Sequence, residues 1–389
     1  MKIAYVYHDD AADPSVQSGH PEAVLTELLR LGHEVERIFP LTAPFAGTEF
    51  AKKVGYRIIG QYHRQDRNPF YLDALAAQFA EKTKGRSFDL VVSPGSEVIA
   101  RLQTDIPIAY CADATFSNLV DYYWDFTGLS AEYRRQGNEL ESAALAKATL
   151  AVFSSDWAAR AAIEQHGADP ATVATIPFGA NLGRDNRRAE VMGWIDRRAA
   201  DHIRLLFVGR HWERKGGDIV IATALCLRAH GHPVTVDVVG CDVPAEYRGL
   251  PWLNARGLLH QCNPAHMTEL RRLYREAHFV FVPSRAEAYG FTFTEANAFG
   301  APPVATATGG IPTIIRHGHN GLLLPLAALP SDSADAIVGV FSDPAGYRAM
   351  ARRAFADFEE RLNWKTFTRR FLEMAGERIT TRTRTRPAA

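Results

Sequence analysis

Short apolar runs, small-residue turns and amphipathic stretches alternate along the chain. Residues 2–7 (KIAYVY) are rich in β-branched and aromatic side chains and read as a buried strand. A polar loop with Pro14 and Gly19 follows. Residues 21–31 then place Ala23, Val24, Leu28 and Leu31 on one helical face, and Gly32 stops the helix. Residues 34–39 (EVERIF) return as a strand, and 88–93, 106–111, 149–153 and 175–177 are further strand candidates. Strands alternating with helices predict an α/β fold whose parallel sheet is covered on both faces.

The opening recurs two hundred residues later. Residues 204–208 (RLLFV) form a strand that ends at Gly209. The turn RHWERKGG leads into a helix over 218–230, closed by Gly231, and 234–239 (VTVDVV) is the next strand. Residues 278–282 and 303–306 add two more. Two βαβ openings a domain apart predict two similar domains, over 1–182 and 203–363. The charge-dense segment 183–202 reads as a linker carrying a surface helix near 188–198. The basic tail 377–389, ending TTRTRTRPAA, has little to bury and is expected to be disordered.

Composition narrows the class. Apolar residues make up 47% of the 389 and charged ones 23%, ordinary globular usage that excludes fibrous or disordered chains. Forty-four basic side chains balance forty-four acidic ones, which argues against a nucleic-acid binder working through phosphates. The four cysteines form no CxxC pair, so zinc-ribbon and thioredoxin chemistry find no support. The start meets acidic residues after seven positions, too short an apolar run for a signal peptide, and no stretch approaches the ~20 residues that span a bilayer. A soluble cytoplasmic protein is expected, and a peripheral membrane contact stays open.

In open parallel sheets ligands sit beyond the carboxyl ends of the strands. That rule selects His8, residues 93–96, Asp113 and Ser154-Ser155 in the first domain. In the second it selects Gly209-Arg210, Gly240-Cys241 and residues 284–290. Two such domains are expected to face each other across a cleft. Neither opening turn carries GxGxxG or GxxxxGK[ST], which disfavours an NAD-type loop and a P-loop. The densest constellation is EAYGFTFTE, residues 287–295. Gly290 lets backbone approach a ligand closely, and a helix starting near Phe291 would offer N–H groups of Phe291 and Thr292 to a diphosphate. Glu287 and Glu295 flank that point as acceptors for hydroxyls. Arg210 and Lys215, in the turn after Gly209, supply a fork and a point charge for phosphate oxygens. Asp113 follows the strand IAYC as either a reacting-site polar group or a helix N-cap. No two aspartates are spaced D-x-D, so no metal is expected.

The segments FVGR….KG, VVG, the run HFVFVPSRAEAYGFTFTEANAFGAPPVATATGGIP and HNGLLLP together resemble glycosyltransferase family 4. Upstream, SGHPEAVLTELLRLGHEV and VFSSDWAARAAIEQHGADPATVATIPFGAN fit the same pattern, so the resemblance runs from about residue 1 to 375. It implies the GT-B fold, two Rossmann-like domains, and sugar transfer from a nucleotide-diphosphate sugar with retention of configuration. Position by position, it implies that Glu287 contacts the donor sugar and Glu295 the ribose. Arg210, Lys215 and backbone at 290–292 would hold the diphosphate, with Gly19 bordering it and Asp113 beside the reacting sugar. The donor domain would be the second and the acceptor domain the first, with a helix near 364–376 packing back on it. A UDP- or GDP-sugar donor is implied, with a sugar, lipid-linked glycan or small metabolite as acceptor, and no resident cofactor. The stretch GLLHQCNP departs from the pattern, lacking the lysine that relatives have near residues 260–262. An epimerase or hydrolase on the same fold, or a non-catalytic sugar-binding protein, are the alternatives.

Overall fold

The strands form where the apolar runs are. The computed structural model describes residues 1–43, 47–260 and 262–385. Its first sheet contains β1 (Lys2–Val6), β2 (Glu34–Ile38), β3 (Leu90–Ser93), β4 (Ile108–Ala112), β5 (Leu150–Phe153) and β6 (Val173–Thr175), in the order β2-β1-β3-β4-β5-β6. The second contains β7 (Ile203–Val208), β8 (Val234–Val239), β9 (Leu253–Gly257), β10 (Phe279–Val282), β11 (Pro303–Thr306) and β12 (Leu322–Leu324), in the order β12-β11-β10-β7-β8-β9. All pairings are parallel. The interior strands β3, β5, β10 and β11 are buried at every position, as a sheet covered on both faces requires. The edge strands β2 and β9 are mostly half-buried or exposed.

The chain divides into two units, Met1–Pro177 with Phe367–Ala389, and Phe178–Thr366. The boundary falls at Phe178 because its ring packs on Tyr289 and Trp364, centroids 5.5 and 5.2 Å away. The segment 183–202, expected to be a linker, is instead part of the second unit. Its helix, Arg188–Arg197, buries Val191 and Ile195 and stacks Trp194 on Phe299 at 5.9 Å. A Cβ on Gly300 would come within 2.8 Å of Ile195 Cδ1, so only glycine allows that approach.

Four further differences have physical reasons. β6 is centred two residues before the expected run, because Val173 rather than Ile176 pairs with β5. β9 and β12 were missed: LNARG has no apolar run, and three residues are too few for periodicity to register. Residues 42–68, which carry no decodable signature, contain a helix, Gly47–Ile58. The tail expected to be disordered from 377 instead continues the last helix, Trp364–Thr385, while residues 386–389 lie outside the described residues. No helix among the described residues is long and apolar enough to cross a membrane.

Candidate functional site

In the second unit β7 ends at Val208, and the Gly209 N–H donates to the Val239 carbonyl at 2.9 Å. A Cβ on Gly209 would lie 2.8 Å from Lys215 Cγ, so the missing side chain is what lets the lysine stem cross the strand end. One turn of helix, Trp212–Lys215, follows, and Gly216 closes it in the left-handed region at φ +76. Any side chain there would run into the Pro283 carbonyl at 2.3 Å, so this turn lies directly against the loop after β10. Two arginines fasten the same contact. Arg214 donates to the Ala286 carbonyl at 2.8 Å, and Arg285 makes a fork to Asp218 at 2.9 and 2.7 Å.

The two segments bring Lys215 and Glu287 into direct contact. The buried Lys215 ammonium is hydrogen-bonded to Glu287 Oε2. Ser284 Oγ also donates to that oxygen at 3.3 Å, and the Arg214 guanidinium lies 3.8 Å from it. The Gly310 N–H donates to the Glu287 carbonyl at 3.2 Å, which places the Gly309-Gly310 turn against the same loop. Gly290 then caps the helix Phe291–Ala298 in a left-handed conformation, φ +104, with no side-chain cap on the first turn. Thr292 Oγ1 donates to the Val208 carbonyl at 3.4 Å, so the helix start and the end of β7 meet.

Glu295 projects elsewhere. Its Oε2 accepts from the Tyr274 hydroxyl at 2.8 Å, and burial pushes its carboxyl up to about 7 against that bond and the Leu182 N–H. Phe291 is a packing residue, near-parallel to Phe178 at 6.1 Å and to Trp364 at 6.2 Å. Arg210 is exposed and has no hydrogen-bonding or ionic partner among the described residues. The structure therefore joins Lys215, Glu287, Gly209, Gly290 and Thr292, and leaves Arg210 outside their hydrogen bonds. Ser284 opens the segment 284–290 selected at the strand end, whereas Arg214 was missed: it lies within the RHWERKGG turn, but nothing in the spacing marks it as Glu287's neighbour.

Asp113 and Gly19 belong to the first unit. Asp113 follows β4 and is half-buried. Gly19, φ +82, caps the helix His20–Arg30 after two non-glycine residues that also have positive φ, Gln17 and Ser18. Around these strand ends lies a polar cluster that sequence reasoning found only in part. Arg67 Nη2 pairs with Glu97 Oε1 at 3.0 Å, and its guanidinium lies over the Phe116 ring at 5.5 Å. Burial is the largest influence on Glu97 and works against its charge, but Arg67, His8, its own backbone N–H and His20 together outweigh it and hold the carboxyl below its usual value. Glu141 accepts from Ser96 Oγ at 3.1 Å and the Phe116 N–H at 3.2 Å, yet burial pushes it up to about 7. The Tyr7 hydroxyl and His8 Nδ1 are buried with no hydrogen-bond partner among the described residues. Arg67 sits in the segment whose chemistry could not be decoded, and Glu97 lies one residue beyond the selected strand end.

Tyr122 packs on Trp157 at 5.1 Å while Trp124 faces solvent. His230 is the C-cap of the helix Gly217–Ala229, with Gly231 at φ +83 beyond it. No group of three or more His, Cys, Asp or Glu residues that could hold a metal ion occurs among the described residues.

Residues 202–343 match the family model described as Glycosyl transferases group 1. A D-inositol 3-phosphate glycosyltransferase of Geodermatophilus obscurus is 32% identical over 228 residues, covering 55% of this chain and 50% of that protein. One from Actinosynnema mirum is 34% identical over 227 residues, covering 55% and 54%. The chain spans about half the length of the curated relatives it matches. Among solved structures, sucrose-phosphate synthase from Thermosynechococcus elongatus aligns over 97% of this chain and 99% of its own, with a TM-score of 0.69 at 18% identity. The Anabaena protein HepE, solved with UDP and glucose, aligns over 97% and 99% with a TM-score of 0.60 at 17% identity. At those identities the likeness shows the fold, two Rossmann-like units of the GT-B type. The family match falls on the unit that holds the Lys215–Glu287 pair, and over residues 202–343 the chain is similar to the glycosyl transferases group 1.

Proposed function

We propose that this protein transfers a sugar from a nucleotide-diphosphate sugar to an acceptor hydroxyl, with retention of anomeric configuration and without a metal. The observation that carries the reading is the buried Lys215–Glu287 pair beside the side-chain-uncapped start of the helix Phe291–Ala298. Breaking the sugar–diphosphate bond develops negative charge on the leaving oxygen. A preorganised ammonium and helix N–H groups stabilise that charge, and losing one such donor typically costs ~10²–10³ in turnover. Glu287 would accept from the donor sugar's hydroxyls and Glu295 from the ribose, with exposed Arg210 reaching the outer phosphate oxygens. A UDP-sugar is the first donor to test, since HepE was solved with UDP and glucose.

For the acceptor, the first unit offers the Tyr7 hydroxyl, His8 Nδ1 and the Asp113 carboxylate at its strand ends. Among its described residues the one buried arginine, Arg67, pairs with Glu97 through Nη2 at 3.0 Å. That balance favours a hydroxyl-rich acceptor over one recognised by phosphate. The relatives named for D-inositol 3-phosphate carry a phosphate on theirs, so this site would differ.

The test follows nucleoside diphosphate release from UDP- and GDP-sugars, with and without a panel of sugars, polyols and lipid-linked glycans, in EDTA. Acceptor-dependent release that survives chelation is expected, and Lys215→Ala should lower turnover more than donor affinity. Donor consumption that needs no acceptor would replace the reading with an epimerase or hydrolase. Loss of activity in EDTA, restored by Mn²⁺, would overturn the metal-free site.

A further inference from the structure

The helix Gly47–Ile58 is inside out. Its inward face is polar: Glu49 Oε2 bonds His63 Nε2 at 3.1 Å, Lys52 Nζ reaches Glu132 Oε1 at 2.6 Å, and the Tyr56 hydroxyl donates to Glu132 Oε2 at 3.2 Å. Its outward face carries Phe50, Val54 and Ile58 at positions i, i+4 and i+8, one stripe along the helix. Phe50 is 60% and Ile58 80% exposed, and Ile59, 66% exposed, extends the stripe past the helix end. A helix of a water-soluble domain shows the opposite polarity, apolar inward and charged outward. Ion pairs hold this one to the protein and leave its hydrophobic side chains to meet something else.

Charge identifies the occupant. Lys53 and Arg57 are exposed along one border of the stripe, and neither has a carboxylate partner among the described residues. The one acid of the helix, Glu49, is buried on the opposite face. Apolar side chains flanked by unpaired cations match the boundary of an anionic bilayer, where the stripe enters the acyl region and the cations meet headgroups. Since the whole chain is neutral, the attraction must be local to this helix. We infer that the outward face of Gly47–Ile58 docks on an anionic lipid surface, an interaction independent of the transfer reaction proposed above.

The experiment uses the full chain, without donor or acceptor, sedimented with phosphatidylcholine vesicles that contain or lack phosphatidylglycerol. Binding is expected only to the anionic vesicles and should weaken with salt. Lys53→Glu/Arg57→Glu should reduce it at least about 25-fold, taking about fivefold per charge as a lower bound. Phe50→Glu/Ile58→Glu should abolish it while leaving the circular-dichroism melting curve little changed, because both side chains are mostly exposed. No sedimentation with anionic vesicles, or binding that survives Phe50→Glu/Ile58→Glu, overturns the inference. So does a dimer in solution that Ile58→Glu dissolves, which would mean that a second copy covers the face.

Discussion

Removing Lys215 should leave a buried carboxylate without its principal counter-charge. The Lys215 and Glu287 side chains are only 10% and 9% exposed, so water screens neither well. Breaking a buried pair by deleting one partner costs about 3–5 kcal/mol. Part of that is recovered here, because Ser284 Oγ already donates to Glu287 and Arg214 stands 3.8 Å away, where two charges still interact by about 4 kcal/mol at an effective dielectric of 20. Lys215→Met should therefore destabilise the protein by about 2–4 kcal/mol in urea unfolding. Glu287→Gln should cost a similar amount by stranding the ammonium. The double variant should fall short of the sum by at least about 2 kcal/mol, since the second substitution removes a group already stranded. UDP affinity, by calorimetry, supplies the functional half. Lys215→Met should weaken UDP about tenfold or more, one charge-assisted hydrogen bond's worth, whereas Glu287→Gln releases the ammonium and should bind UDP as tightly as wild type or tighter. Additivity within about 0.5 kcal/mol would show that the pair is not coupled. UDP affinity lost in Glu287→Gln and kept in Lys215→Met would refute the lysine as the diphosphate ligand.

Two pH effects follow from burial. Glu295 is raised to about 7, so the folded protein holds a proton there that the unfolded chain releases near the ordinary carboxylate value; stability should fall as pH rises from about 5 through 7. In Glu295→Gln that part of the fall should vanish, and the strengthening of UDP binding between pH 6 and 8, expected if the ionised carboxylate accepts from the ribose, should vanish with it. A UDP affinity that is flat with pH in wild type would remove Glu295 from the ribose. His278 is pushed the other way, to about 4, chiefly by burial and then by Arg198. Its Nδ1 accepts from the Arg204 N–H at 3.1 Å and its Nε2 donates to the Ala199 carbonyl at 2.7 Å, so the ring is held neutral. Stability should fall as pH drops from 6.5 toward 4, and His278→Gln should flatten that limb of the urea-midpoint curve; an unchanged slope would count against it.

The fold was legible wherever a strand was apolar and four residues or longer. VTVDVV and PVAT coincide with β8 and β11 residue for residue, since in β8 valines alternate with the half-buried Thr235 and Asp237 and β11 is buried throughout. The helix Gly47–Ile58 was hidden for the opposite reason. Pattern reading assigns the apolar stripe of a helix to the core, and Phe50, Val54 and Ile58 lie on the side away from it. The linker reading of 183–202 failed because its arginines outnumber its two anchors, Val191 and Ile195, which nevertheless set its place. The tail was judged on composition, but Arg378 reaches the Val173 carbonyl at 3.4 Å and the helix carries on beyond it.

At the site, the sequence displayed each charged group but not which groups would touch. The spacing of Arg210 and Lys215 in one turn, and of Glu287 and Glu295 either side of a helix start, suggests two cations for phosphate and two carboxylates for hydroxyls. The structure instead pairs one of each, Lys215 with Glu287, and bonds Glu295 to Tyr274. In the proposed reading this pairing selects the ligand. A bare anion that draws Lys215 away deprives the buried Glu287 of its ammonium, with Ser284 Oγ at 3.3 Å and Arg214 at 3.8 Å beside it. A neutral sugar that occupies Glu287 leaves the ammonium short of a counter-charge. A sugar joined to a diphosphate supplies the hydroxyl and the anion together, so neither buried group is stranded when the pair opens, and the penalty of about 3–5 kcal/mol for separating it falls on every simpler ligand.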